Sequence, residues 1–518
     1  QAAGLNILVD CGMEQGNDVY ENQELPIAAS DVDCILLTHA HIDHSGLIPL
    51  MYVNGFRGQV YSTSATAQLC EIMLRDSAHI QMFEAEWRNR KAARSGGKLK
   101  EFVPLYDMDA AVNVCKQFVG CEYDRVYDIA EGIKIRFTDV GHLLGSASIE
   151  VWATEKTENG DVTEKIVFSG DIGNINKPII KDPKHVRDAD YVVMESTYGN
   201  RSHGGTPNYV EDLTDIFKRT FERGGNVVIP SFAVGRTQEL LYIIRKIKED
   251  NLVGRDFDVY MDSPLAIEAT NIFIKNVESC FDDEAVELVR KGINPLSFPG
   301  LKYATTGDES KQINFDPNPK VIISSSGMCE AGRIRHHLKH NLWRPECTIV
   351  FVGYQAVGTT GRIIVDGAEE IKLFGEPIQI KAEIVQLKGS SGHADKDGLL
   401  CWINAFDTKP KKVFVVHGED SVCDEFTECL KEEYGYDAMA PYTGGSYDLI
   451  ADRVISEGVK ERKTRRTTST QRGKTVFDRL VAAGKRLMTV ITHNEGGTNK
   501  DLAKFTDQIN ALCDKWDR

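Results

Sequence analysis

Thr38-His39-Ala40-His41-Ile42-Asp43-His44 is the stretch that most restricts what this chain can become. It places His39, His41, Asp43 and His44, all able to bind a metal ion, directly after the apolar run 34–37 and ahead of Ser45-Gly46-Leu47-Ile48. Alternate side chains of a strand point to opposite faces, so the four cannot meet one ion from extended backbone. A loop leaving a strand end can divide them, with His39 and His41 facing one cation while Asp43 and His44 turn towards another. A His-rich turn alone would also suit an ordinary surface, but further donors follow: His142 in Gly141-His142-Leu143-Leu144-Gly145 and Asp171 in Ser169-Gly170-Asp171-Ile172-Gly173. Each closes an apolar run among glycines, as a side chain projecting from the lip of a sheet would. A carboxylate such as Asp171 can bridge two cations and lower their mutual repulsion. Nitrogen and oxygen donors without thiolate favour zinc, with manganese or iron compatible. Asp10, closing the first strand, is better placed to orient a histidine than to bind metal.

Short Val/Ile/Leu-rich runs at 5–9, 34–37, 166–168, 191–194, 226–229, 321–323, 348–352 and 413–416 read as strands buried on both faces. Helical patterns at 63–86, 208–223, 237–249 and 395–406 alternate with them, which makes the class α/β. At 518 residues the chain exceeds one ordinary core and is expected to form two to four domains. No apolar stretch is long enough to cross a bilayer. The net charge of −16 argues against bulk attraction to nucleic acid, so any such binding needs local positive patches. Twelve cysteines without paired spacing suit reduced, buried thiols and a cytoplasmic setting. Near the C-terminus Lys460, Arg462, Lys463, Arg465, Arg466, Arg472 and Lys474 crowd a Thr/Ser-rich linker, a weaker candidate for RNA docking. Beyond it Leu502, Phe505, Ile509, Leu512 and Trp516 recur at helical spacing behind Thr498 and Asp501, a capping box. This tail helix is expected to dock on the body, with a homo-oligomer contact as the alternative.

The His-x-His-x-Asp-His motif with its later Gly-His and Gly-Asp resembles the metallo-β-lactamase fold. More of the chain, about residues 5–442, resembles the β-CASP branch, which includes the cleavage and polyadenylation nuclease and its bacterial relatives. The motifs are Glu195 in Met194-Glu195-Ser196-Thr197-Tyr198-Gly199, His393 in Ser391-Gly392-His393-Ala394-Asp395, and His417 in Val416-His417-Gly418-Glu419. The resemblance implies an αββα metallo-β-lactamase sandwich with an inserted α/β β-CASP domain: residues 1–200 and 376–455 for the sandwich, 201–375 for the insert, 456–475 for the linker and 476–518 for a helical extension. It also implies one zinc on His39, His41, His142 and Asp171, and a second on Asp43, His44, Asp171 and His417. Ser390-Ser391 departs from the aromatic-Ser usual before the glycine. The family's opening strand and Gly/Ala-rich loop do not precede residue 5, so the natural start is expected to lie upstream.

Two zincs ~3.5–4 Å apart can hold a hydroxide that attacks phosphorus near neutral pH. The alkoxide leaving group then needs a proton, and His393, a histidine outside the ligand set, suits that role. Glu195 would orient His393 and favour its protonated form. Asp43 is grouped with this catalytic pair as well as with the ligands. Products with a 5′-phosphate follow from the resemblance. So does RNA over DNA, since branch members acting on RNA carry histidine at the position of His417 where DNA-repair members have valine. In the insert, Ser325, Ser326 and Gly327, followed by a helix from about residue 331 with Arg333, His336, His337 and Lys339, read as a phosphate cradle. Ser231 and Arg236 repeat the arrangement, with Arg236 gripping phosphate at two points. The expected function is thus a zinc-dependent ribonuclease acting on RNA. The rival readings are a DNA-acting nuclease of the branch, a small-molecule metallo-hydrolase of the same fold and a non-catalytic RNA-binding scaffold.

Overall fold

Apolar runs separated by polar turns become mostly parallel strands whose two faces are both covered, which explains why their sequences do not alternate. The computed structural model describes residues 1–13, 27–94, 102–158, 160–202, 204, 208–387, 391–460, 476–494 and 498–516. Ser390 and linker residues 461–475 lie outside that set.

Strands β1 (Ile7–Val9), β2 (Cys34–Leu36), β3 (Gln59–Thr63) and β4 (Phe118–Cys121) make a parallel sheet in that order. β5 (Val126–Ala130), β6 (Ile133–Asp139), β7 (Ala147–Thr157) and β8 (Gly160–Phe168) run antiparallel to one another, and β9 (Tyr191–Glu195) then joins β8 in parallel. The chain leaves this sheet at Glu195. It builds β10 (Val227–Pro230), β11 (Asp258–Asp262), β12 (Leu301–Tyr303), β13 (Lys320–Ser324), β14 (Thr348–Phe351), the hairpin β15 (Glu370–Leu373) and β16 (Glu376–Gln379), and β17 (Glu383–Gln386). Of these, six form a parallel sheet in the order β12-β11-β13-β10-β14-β17. The chain then returns as β18 (Lys412–Val416) beside β9, with Val416 level with Glu195, and β19 (Ala438–Met439) completes a seven-stranded sheet.

Burial stacks these sheets into layers. Leu36, Phe137, Ile149 and Val151 fill the space between the four- and seven-stranded sheets. Ile35, Leu37 and Val60 face the helices of the outer side, including Ser64–Arg94, and this core runs on without interruption into Leu213, Phe217 and Ile243 of the inserted segment. The far face of the seven-stranded sheet buries Val167, Val192 and Val415 against Trp402 and Phe426 of two further helices. The order is helix, sheet, sheet, helix, and the α/β class is the one observed. Among the described residues no helix is long and apolar enough to cross a membrane.

Several elements differ from their sequence patterns. The helix expected at 63–86 continues to Arg94, because straight-chain Glu, Arg and Lys prolong a helix without apolar periodicity. The helix after the Ser-Gly loop begins at Ile334, not near 331. The tail holds two helices, Val476–His493 and Asn499–Trp516; the second carries the Thr498–Asp501 cap, and its apolar residues Leu502, Phe505 and Ile509 are half-buried rather than fully buried.

Candidate metal centre

Five strand ends open onto one rim. β6, β8, β9 and β18 run in one sense and end towards it, and β2 of the facing sheet ends there too, so His39, His142, Asp171, Glu195 and His417, in or just after those strands, converge although they are far apart in sequence. The loops are laced together by main-chain bonds from Gly173 N to Val140 O (2.8 Å), Ala394 N to Ile172 O (2.7 Å) and Asn174 N to Gly392 O (3.2 Å). Such packing leaves no room for a side chain at Gly173, where a Cβ would lie 2.0 Å from the Gly141 carbonyl oxygen.

Asp171 lies at the middle, almost wholly buried. Its Oδ2 is 3.4 Å from His39 Nε2 and 3.5 Å from His142 Nε2, while His41 Nδ1 is 3.0 and 3.2 Å from those two nitrogens. Its Oδ1 is 3.2 Å from His44 Nε2 and 3.3 Å from His417 Nε2, and Asp43 completes that second group. A tetrahedron with bonds of about 2.0–2.1 Å has edges of roughly 3.3–3.4 Å, the spacing seen here. His44 Nε2 and Asp171 Oδ1 are both buried and neither has a hydrogen-bond partner, although they lie close together. Two orphaned polar atoms in one pocket call for an explanation, and a cation to which both point supplies it.

The tautomers agree. His44 Nδ1 donates to Asp10 Oδ2 at 2.6 Å, and His142 Nδ1 donates to the Gly392 carbonyl at 3.2 Å. The Thr38 hydroxyl donates to Asp10 and so accepts from His39 Nδ1 at 3.0 Å. Each of these rings therefore keeps Nδ1 for its partner and turns Nε2 towards the pocket. Burial, reinforced by neighbouring histidines, holds His39, His41 and His142 below the usual imidazole range. Burial acts to raise Asp43 and Asp171, but the surrounding imidazoles outweigh it and both carboxyls lie low. For His44 burial acts to lower the ring, and Asp171 and Asp10 more than reverse this. Neutral imidazoles and ionised carboxylates are the forms that bind metal, so His39, His41, His142, Asp43 and Asp171 fit as donors, and His44 would release a proton on binding. His417 and Asp10 hold left-handed backbone, φ +51° and +57°, a cost that is met at functional positions.

His393 stands beside the cluster. Its Nε2 is 3.9 Å from Asp171 Oδ2, and its Nδ1 is 3.2 Å from both oxygens of Glu195, itself buried and fixed by the amides of Ile172 and Thr197. Burial lowers this imidazole, yet Glu195 and Asp171 outweigh burial and push it up to about 9.

The expected phosphate cradle is more occupied than its sequence suggests. Arg333 donates to Asp262 Oδ1 (2.7 Å) and to the carbonyls of Ala304 and Thr305, which corrects its reading as charge added to the cradle. His337 is fully buried between Asp262 and Asn314, so it adds none either. The Ser326 amide bonds Ala331 O and the Ile334 amide bonds Ser325 O, so these two donors serve the loop itself. Ser325 Oγ donates to Ser263 Oγ, whereas Ser326 Oγ is buried without a partner. Gly327 packs on the half-exposed Phe232, and Ser231 Oγ bonds the Phe232 carbonyl. Arg236 pairs with Glu239. The sequence reading missed Thr38, Lys177 and Glu239. Thr38 adjoins the motif and was within reach, but a lone Lys in a polar loop and a Glu in a helix carry no signal of burial.

Three family models match successive parts of the chain. They are described as a metallo-beta-lactamase superfamily domain (residues 1–174), a Beta-Casp domain (237–364) and a Zn-dependent metallo-hydrolase RNA specificity domain (377–441). A ribonuclease of Thermus thermophilus is 34% identical over 81% of this chain and 89% of its own length. The transcription termination factor FttA of Methanosarcina mazei is 32% identical over 84% of this chain and 66% of its own length. An RNase J-like protein of Methanocaldococcus jannaschii is 31% identical over 80% of this chain and 87% of its own.

Proposed function

The chain belongs to the β-CASP branch of the metallo-β-lactamase superfamily, and from that premise we propose that it is a metal-dependent ribonuclease hydrolysing RNA phosphodiester bonds. The observation that carries this reading is Asp171, whose two oxygens face separate groups of histidines. His39, His41, His142 and Asp171 would hold one zinc, and Asp43, His44, His417 and the other oxygen of Asp171 a second, with manganese compatible. When bound, such a pair supplies Lewis acidity towards a phosphoryl oxygen and makes water nucleophilic near neutral pH.

The protein's own part is to place the proton and the phosphate. His393, held protonated by Glu195, donates from Nε2 to the 3′-oxygen that leaves phosphorus, so that the released strand carries a 3′-hydroxyl and the other a 5′-phosphate. Glu195 keeps the ring turned so that Nε2 faces Asp171. Arg236, linked to the His142 main chain through Glu239 and Lys177, would contact a backbone phosphate together with Ser231, Ser325, Ser326 and Gly327. RNA is favoured because His417 is histidine and because relatives bear the names of ribonucleases.

The test is zinc-loaded protein incubated with one RNA labelled at either end, a matched DNA and a His393→Ala variant. RNA is cut, and the variant is slower by about 10²–10⁴-fold with its metal retained. Failure to cut either nucleic acid in zinc or manganese, with turnover of a thioester or lactam instead, overturns the reading.

A further inference from the structure

Lys177 is buried between the two halves of the molecule, with only 11% of its side chain exposed. Its Nζ donates to the main-chain oxygen of His142 at 2.9 Å and lies 3.3 Å from Glu239 Oε1. Glu239, equally buried on the helix Arg236–Glu249 of the inserted segment, gives its other oxygen, Oε2, to Arg236. One carboxylate thus joins a lysine that holds the backbone of a clustered histidine to an arginine at the start of the opposing helix.

This arrangement is hard to explain as a stability device. Two cations and one anion have been taken out of water, and a buried ionic group is often no more stabilising than apolar side chains of the same size. Apolar side chains are close at hand, since Leu143 lies 3.1 Å from where a Cβ on Gly235 would be. The triad also leaves one net positive charge buried between the two halves, where low dielectric screens it little, in a chain whose total is −16.

We infer that Lys177 and Glu239 are positioning residues that fix the spacing between His142 of the metal cluster and Arg236 of the inserted segment, so that the metal pocket and a bound phosphate keep one geometry. The inference rests on reading the histidine cluster as a metal centre. Lys177 acts on the cluster through the His142 carbonyl, and Glu239 acts through Lys177 on one side and Arg236 on the other.

The test measures zinc affinity by competition with a chromophoric chelator, alongside kcat and KM on end-labelled RNA. The proteins are wild type, Lys177→Met, Glu239→Gln, the double variant and Lys302→Gln, which removes an equal charge from an exposed pair with Asp258. Lys177→Met weakens zinc binding by about 10–100-fold, the usual effect of losing a group that orients a ligand. Glu239→Gln, which keeps every heavy atom in place, weakens it severalfold and raises KM as Arg236 loses its anchor. The double variant binds zinc no worse than Lys177→Met, because the two act in series. Lys302→Gln matches wild type. Should Lys177→Met fail to fold by circular dichroism, Glu239→Gln carries the test alone. Zinc affinity and KM within about twofold of wild type in the folded variants, or additive losses in the double variant, overturn the inference. Wild-type protein that binds zinc but cuts no RNA defeats the nuclease reading only, and the zinc measurements still decide this one.

Discussion

Asp139 shows how far individual side chains near the cluster depart from their behaviour in water. Burial pushes its carboxyl up to about 7, against the pull of the Gly141 amide it accepts from and of Lys181 and Lys184. In the unfolded chain it ionises near 3.9. Folding is therefore unpenalised below that pH, and stability is lost as pH rises towards 7. Asp139→Asn should be more stable than wild type above pH 7 by on the order of 2–4 kcal/mol, with the gap closing below pH 4; denaturant melts across pH check this, and equal slopes for both proteins would contradict it. At this scale the clustered histidines and acids were readable before the structure because such residues closing apolar runs have few other uses. Lys177 and Glu239 were not, since their roles depend on burial, which a single residue type does not report. Arg333 and His337 misled for the same reason: a positive charge in a helix looks available until Asp262 is placed against it.

Strands and helices were readable to within a few residues where apolar runs met glycine or an N-cap, as at β9 and in the helix Tyr209–Glu222 with its Asn208 cap. What periodicity leaves open is how the loops pass one another. Segment 172–174 threads between Val140-Gly141 and Gly392-His393-Ala394, so that three of the loops carrying clustered residues share main-chain bonds. Gly173→Ala drives a methyl into the Gly141 carbonyl and should cost about 1–3 kcal/mol together with bound metal. Gly307→Ala, in open space at the first position of a helix, should leave stability unchanged or slightly higher. Melting midpoints and metal content of the two variants check this. A Gly173→Ala protein as stable and as metal-rich as Gly307→Ala would mean that the loops are not locked together.

The largest feature is that β9 and β18 are neighbours although the chain between Glu195 and Lys412 builds a second sheet. That long excursion brings Val416 level with Glu195, so that His417 stands just beyond at the rim, and joins the inserted segment to the first half by a continuous core. The resemblance anticipated the excursion; periodicity alone would have shown only more strands and helices. With a net charge of −16 on the chain, an anionic substrate would have to be met by local cations such as Arg236 and Lys177 between the two halves. Everything rests on two cations sharing Asp171, and their count is the direct test. Native mass spectrometry of purified protein should find two metal ions per chain, and Asp171→Ala should lose both together; one ion per chain, or an Asp171→Ala protein that keeps its full metal content, would contradict the account.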